Sequence, residues 1–200
     1  RLTLDGSIVA TRVLPSFGTV WDGGAGNWAD SNWNGGSAPA DTDMSIDAAS
    51  ADSLVTVSDS RTLSSVAVGA SNASSLVVDS GGSLAATSVT IGASGTVTVN
   101  DGGTLSVQDI SFVGATSMLN LNTNRITLSS TAQTLAQIDA LKDAGQITVT
   151  GTSPISSTPR HVGYAPAGTG QIKVGYAAAG DTDLNGQSNF FDLIPVLIFG

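Results

Sequence analysis

The sequence predicts an all-β fold and, within that class, a short right-handed parallel β-solenoid. Three observations lead there. Small residues dominate a chain of 200 residues in which 12% are charged and 5% aromatic, the composition of short strands and tight turns rather than of helical bundles. The stretch "VVDSGGSL" at 77–84 returns as "TVNDGGTL" at 98–105, and Val89-Thr90-Ile91 returns as Ile110-Ser111-Phe112, each 21 residues on. A period of that size fits one coil of a solenoid. Finally, Leu76, Val78, Val89, Ile91, Val97, Val99, Ile110, Phe112, Leu119 and Leu121 alternate within short runs, so one face of each run points inward.

In chain order, residues 1–17 form an N-terminal arm. Its "RLTLDGSIVATRVL" (1–14) alternates like a strand but has no place in the 21-residue repeat. Residues 18–128 form the solenoid with its N-terminal cap. That cap is "VWDGGAGNWADSNWNGGSAPADTD" (20–43), which holds Trp21, Trp28 and Trp33. Indole rings can stack on sugars beside the neighbouring Asp and Asn side chains; equally, they can plug the open end of a solenoid whose other side chains are small. A core this poor in aromatics favours the plug. Within the coils, Gly-Gly pairs supply corner conformations that other residues resist.

Residues 129–178 form the opposite cap. Ser130-Thr-Ala-Gln133 has capping-box spacing, Leu135, Ile138 and Leu141 recur at helical intervals, and Gly145 is a stop, which predicts an amphipathic helix over 131–144 lying across the C-terminal end of the stack. After it, "QITVTG" (146–151) reads as a strand, and "RHVGYAP" (160–166) with "QIKVGYA" (171–177) read as a hairpin. The tryptophan stretch joined to Gly-rich β repeats, over about 18–128, resembles bacterial secreted proteins with autotransporter-associated β-strand repeats.

Residues 179–200 form a last module, around "GDTDLNGQSNFFD" (180–192). With Asp181 as position 1 of a twelve-residue frame, Asp183, Asn185, Gln187 (through its carbonyl), Asn189 (directly or through water) and Asp192 occupy positions 3, 5, 7, 9 and 12. Gly186 falls at position 6, where the sharp turn needs it. These are oxygen donors in the number and spacing that Ca²⁺ requires. With its apolar tail "FFDLIPVLIFG", the segment resembles the first half of a type I dockerin, and the resemblance implies a calcium loop followed by a helix, paired with a second such unit and able to dock on a cohesin-like protein. Ser188 stands where an aliphatic residue is usual in that family, and Pro195 shortens or bends the following helix.

Composition narrows the functions. Seven basic against sixteen acidic residues give a net charge of −9, which argues against nucleic acid and anionic membranes as partners. The absence of cysteine removes disulfides and thiolate chemistry. No apolar run reaches membrane-spanning length, and no signal peptide is visible at Arg1, so any targeting segment lies outside this sequence. Solenoids include polysaccharide enzymes, but Arg61 and Arg125 are the basic residues of the repeat region, Asp79, Asp101 and Asp109 sit mostly beside turns, and the sole histidine, His161, falls in a hairpin strand. That is thin material for acid/base catalysis.

The expectation is a non-enzymatic bacterial protein of the cell surface or exterior: a calcium-stabilised subunit of a surface layer or fibre. Its alternatives are a dockerin-type adaptor, a module binding cell-surface glycan, and a polysaccharide-active solenoid enzyme. Self-association is expected through the N-terminal strand and the C-terminal apolar segment.

Overall fold

A computed structural model describes residues 2–4, 7–10, 19–34, 43–47, 52–129, 133–149, 161–177, 181, 182 and 184. The strands are β1 (Leu2–Leu4), β2 (Ser7–Ala10), β3 (Thr19–Val20), β4 (Gly24–Asn27), β5 (Asp43–Ile46), β6 (Ser53–Val57), β7 (Ser60–Val68), β8 (Ser74–Val78), β9 (Ser83–Ile91), β10 (Gly95–Val99), β11 (Thr104–Phe112), β12 (Met118–Asn120) and β13 (Arg125–Ser129). Helix α1 (Leu135–Asp143) follows, then β14 (Ile147–Thr148), β15 (His161–Pro166) and β16 (Gln171–Ala177).

Alternating apolar residues put one side of every coil strand inside, and the strands stack in parallel as a solenoid of about four turns. One wall is a six-stranded sheet in the order β14-β12-β10-β8-β6-β4, and the other sheet runs β11-β9-β7-β5-β3. Val97 lies beside Leu76, and Ile110 beside Val89, so the spacing of 21 read from the repeat is the true register there. Elsewhere the coil length varies: Val89 lies beside Val66, an offset of 23, and Leu119 beside Val97, an offset of 22.

The nine-residue strands β7, β9 and β11 each wrap two sides of the coil. In β9, Leu84 and Ala86 point inward, Thr87 is exposed, and the inward phase resumes at Val89 and Ile91. Pairing skips the same point, passing from Ala86 to Ser88 beside Val107 and Asp109. A shift of phase by one residue in a strand of period two requires a bend, and the bend makes a corner. Three walls therefore enclose a core of Val, Leu, Ile and Ala, with Leu76, Val78, Val89, Ile91, Val97, Val99, Ile110, Leu119 and Leu121 all buried as the alternation requires. Phe112 is only partly buried against that core. At the Gly-Gly corners the first glycine takes the left-handed region, with φ 81° at Gly81 and 83° at Gly102.

The tryptophans seal one end of the core. Trp21, Trp28 and Trp33 are buried, with ring centroids 5.0 Å apart between Trp21 and Trp33 and 4.7 Å between Trp28 and Trp33. Trp33 Nε1 donates to the Trp28 carbonyl at 2.9 Å, and Trp21 Nε1 to the Gly24 carbonyl at 3.1 Å. The rings are a plug, with no faces presented to a ligand.

The other cap differs from expectation in two ways. The capping box is Thr134 with Gln137, not Ser130 with Gln133: Gln137 N donates to Thr134 Oγ1 at 3.3 Å, and Thr134 N donates back to Gln137 Oε1 at 2.7 Å. Gln133 precedes the helix, and its amide instead donates to the Ile110 carbonyl at 2.6 Å, tying the cap to the last long strand. The helix accordingly begins at Leu135, where 131 was expected, and ends at Asp143 before Gly145. Of its apolar positions Ile138 is fully buried, Leu141 partly, and Leu135 is exposed. Nor does β13 continue the parallel stack. It joins the expected hairpin to make an antiparallel sheet, β13-β16-β15, with Arg125 beside Gly175 and Ile126 beside Val174. The helix is pinned to this sheet: Lys142 Nζ donates to Asp139 at 2.7 Å and lies 5.6 Å from the centre of the Tyr164 ring. Hydrogen bonds from Lys142 and Tyr164 hold the Asp139 carboxyl below its usual range.

The N-terminal arm is a hairpin rather than one strand. β1 and β2 pair antiparallel with each other and with no other strand among the described residues. No helix of the described residues is long and apolar enough to cross a membrane.

Candidate functional site

The antiparallel sheet that closes the solenoid also receives the start of the predicted cation loop. Of the six candidate ligands, Asp181 lies within the described residues; Asp183, Asn185, Gln187, Asn189 and Asp192 lie outside them, as does the expected loop-helix. The Asp181 side chain is fully buried, and its Oδ2 accepts from Arg125 Nη2 at 3.3 Å. A carboxylate taken out of water is costly unless a cation and hydrogen bonds replace its hydration, and Arg125 supplies the charge. The guanidinium is fixed in turn. It leaves from the first residue of β13 and lies 5.6 Å from the centre of the Tyr176 ring, in cation–π range.

Three residues on, Leu184 completes the attachment. It is buried, in the left-handed region at φ 54°, a conformation that a branched side chain adopts at a cost. What fixes it there is packing. Gly163 in β15 has no side chain, and a Cβ at that position would come within 2.5 Å of Leu184 Cδ2 and 2.6 Å of Ala177 Cβ. The Leu184 carbonyl also accepts from Lys173 Nζ at 3.4 Å. Two cations of the closing sheet, Arg125 and Lys173, thus hold Asp181 and Leu184 at the start of the loop frame.

The other candidates for chemistry are dispersed. Asp79 accepts from Asn100 Nδ2 at 3.1 Å and from Ser80 N at 2.9 Å, which lowers its pKa below the usual carboxylate value. Asn122 Nδ2 extends this ladder to Asn100 Oδ1 at 3.2 Å, one coil further. Asp101 accepts from Thr123 N at 3.2 Å. These carboxylates brace one coil against the next. His161 is an exposed residue of β15, as its hairpin position implied. A groove of about 610 Å³ runs along the coil corners to the hairpin tip, lined by uncharged residues that include Thr62, Thr87, Ser106, Gln108, Thr127 and Gln171. Among the described residues no cluster of three or more His, Cys, Asp or Glu side chains is placed to hold a metal.

No protein-family model, curated protein or solved structure matches the chain. Sequence reasoning marked Arg125 only as one of two basic residues in the repeat region. Its partner is 56 residues away and no local pattern signals the pairing.

Proposed function

We propose that this chain is a bacterial extracellular structural subunit, a capped β-solenoid spacer whose C-terminal module binds Ca²⁺ and serves attachment or assembly in a surface layer or fibre. The observation that carries this reading is the seating of Asp181 and Leu184 on the sheet that closes the solenoid. An attachment module whose first residues rest on a rigid element transmits orientation and load, whereas a flexible tether does not. The ligand set is Asp181, Asp183, Asn185, the Gln187 carbonyl, Asn189 and Asp192. Calcium supplies the charge that lets three carboxylates share one loop. Calorimetry on the intact chain is expected to detect calcium binding that the double substitution Asp181→Ala with Asp192→Ala abolishes. Unchanged affinity in the double variant refutes the ligand assignment.

Assembly follows from the two termini. A two-stranded hairpin such as β1-β2, which pairs with no other strand among the described residues, has marginal stability and gains from joining another sheet edge. At the other terminus Phe190, Phe191, Leu193, Ile194, Val196, Leu197, Ile198 and Phe199 form an apolar run in the sequence, of the kind that marks an interface when it is exposed. Two different surfaces meeting head to tail build rings or filaments rather than closed pairs. Light scattering with calcium present is expected to show mass rising with concentration, and falling back to the monomer when residues 1–14 are deleted. A full-length chain that stays monomeric at high concentration removes the fibre. A second reading, a glycan-binding module, draws on the uncharged hydroxyl-lined groove; retention on neutral polysaccharide, lost on Gln108→Ala, favours it.

A further inference from the structure

The helical cap leaves a cavity beside the last long strand of the solenoid. It measures about 330 Å³ and is lined by Phe112, Gln133, Gln137, Ala140, Leu141 and Gln146. We infer that this cavity is a binding site for a neutral sugar ring, the terminal unit of a glycan, separate from the calcium loop and from the groove along the coil corners. Its apolar wall includes an aromatic ring at a core position. Phe112 continues the column of Val68 and Ile91, both fully buried, but β11 is the last strand of its sheet and no further coil of that sheet follows it. Phe112 is therefore only partly buried. An apolar surface left uncovered beside a cavity gains from the apolar face of a ligand.

The three amides of the lining are each held at one end. Gln133 Nε2 donates to the Ile110 carbonyl at 2.6 Å, and Gln146 Nε2 donates to the Gly114 carbonyl at 2.7 Å and to Oγ of the buried Ser117 at 2.8 Å. Both side chains are thereby oriented, and their Oε1 atoms accept no hydrogen bond among the described residues. Gln137 is held the other way round: its Oε1 accepts from Thr134 N at 2.7 Å, and its Nε2 donates to no group among the described residues. Helical spacing puts Gln137, Ala140 and Leu141 on one face of α1. The cavity thus combines two oriented acceptors, one donor group and an apolar wall, and no lining residue is charged. An ion would meet no opposite charge there, and a purely apolar ligand would strip three amides of water without replacing it. A pyranose matches the set: its C–H face covers Phe112 and Leu141, while its hydroxyls donate to Gln133 and Gln146 and accept from Gln137. Side chains already fixed lose little freedom on binding. The volume is at the low end for ligand pockets, which suits the end of a glycan rather than a long chain.

The test is saturation-transfer difference NMR on the full chain, with the methyl glycosides of glucose, galactose, mannose and N-acetylglucosamine as probes. Transfer to the ring C–H protons of at least one probe is expected. Ala140→Phe is expected to abolish it, because residue 140 is exposed on the helix and bulk there fills the cavity without entering the core. If Ala140→Phe loses the parent's cooperative melt, Ala140→Lys, which is long and suited to a helix, decides in its place. Gln108→Ala, in the groove along the coil corners, is the control and is expected to keep the parent's transfer. Absence of transfer from the parent chain to every probe overturns the site. Transfer that persists in a folded Ala140 variant overturns it too, and transfer lost in Gln108→Ala but kept in Ala140→Phe assigns the sugar to the corner groove instead. None of these outcomes bears on the calcium loop, which calorimetry tests separately.

Discussion

Replacing Trp33 with Ala is expected to destabilise the fold by about 3–5 kcal/mol, the range for deleting a buried aromatic ring. Trp33 sits between the other two rings, with centroids 5.0 Å and 4.7 Å away, so its loss exposes both neighbours as well as leaving a cavity. It also forms an isolated bridge with Trp21 and donates its indole N–H to the Trp28 carbonyl. The core behind it is built of side chains no larger than Leu, Ile and Met among its fully buried members, and these cannot expand to fill the space. Chemical denaturation read by far-ultraviolet circular dichroism measures the change. A cost below about 1 kcal/mol is incompatible with a plug that seals the solenoid.

Substituting Gly69 by Ala is expected to cost about 3 kcal/mol or more, combining a left-handed backbone with overpacking. Gly69 has φ 66°, and a Cβ there would lie 2.3 Å from Gly95 Cα and 2.4 Å from Gly95 N. The backbone cannot shift to relieve this contact. Gly69 N donates to the Ile46 carbonyl at 2.9 Å in one adjoining coil, and its own carbonyl accepts from Ser94 N at 3.0 Å in the next. Relief would break one ladder or the other. Thermal and denaturant melts are the measure, with Gly145→Ala as comparison: Gly145 also has a positive φ, 72°, but no atom lies within 4 Å of a Cβ there. Equal costs at the two positions would mean that backbone strain alone matters and that coil packing at Gly69 is not tight.

The solenoid itself was legible because its signals are local. Alternation at Leu76 and Val78 or Val97 and Val99 states within a few residues which side faces inward, and the recurrence at 21 residues aligns those runs without reference to anything distant. The tryptophan plug was legible for a related reason: three large rings in a core otherwise made of small residues can be buried at an end, where the coil no longer limits their size. The hairpin from His161 to Ala177 carried its own turn chemistry.

Tertiary structure decided what depends on pairs of distant residues. Sequence spacing put the helix start at the Ser130–Gln133 box, whereas the box that forms is Thr134 with Gln137, fixed by the anchoring of Gln133 to the Ile110 carbonyl and the burial of Ile138. The antiparallel turn of β13 into the hairpin sheet has no mark in Arg125–Ser129, whose alternation suits a parallel or an antiparallel neighbour equally. Gly69 reads locally as an ordinary turn glycine; the approach of Gly95 exists only once two coils are stacked. The pairing of Arg125 with Asp181 follows the same logic. Each residue alone is a solvated charge, and it is burial of the Asp181 carboxylate on the closing sheet that makes its pairing with the guanidinium matter.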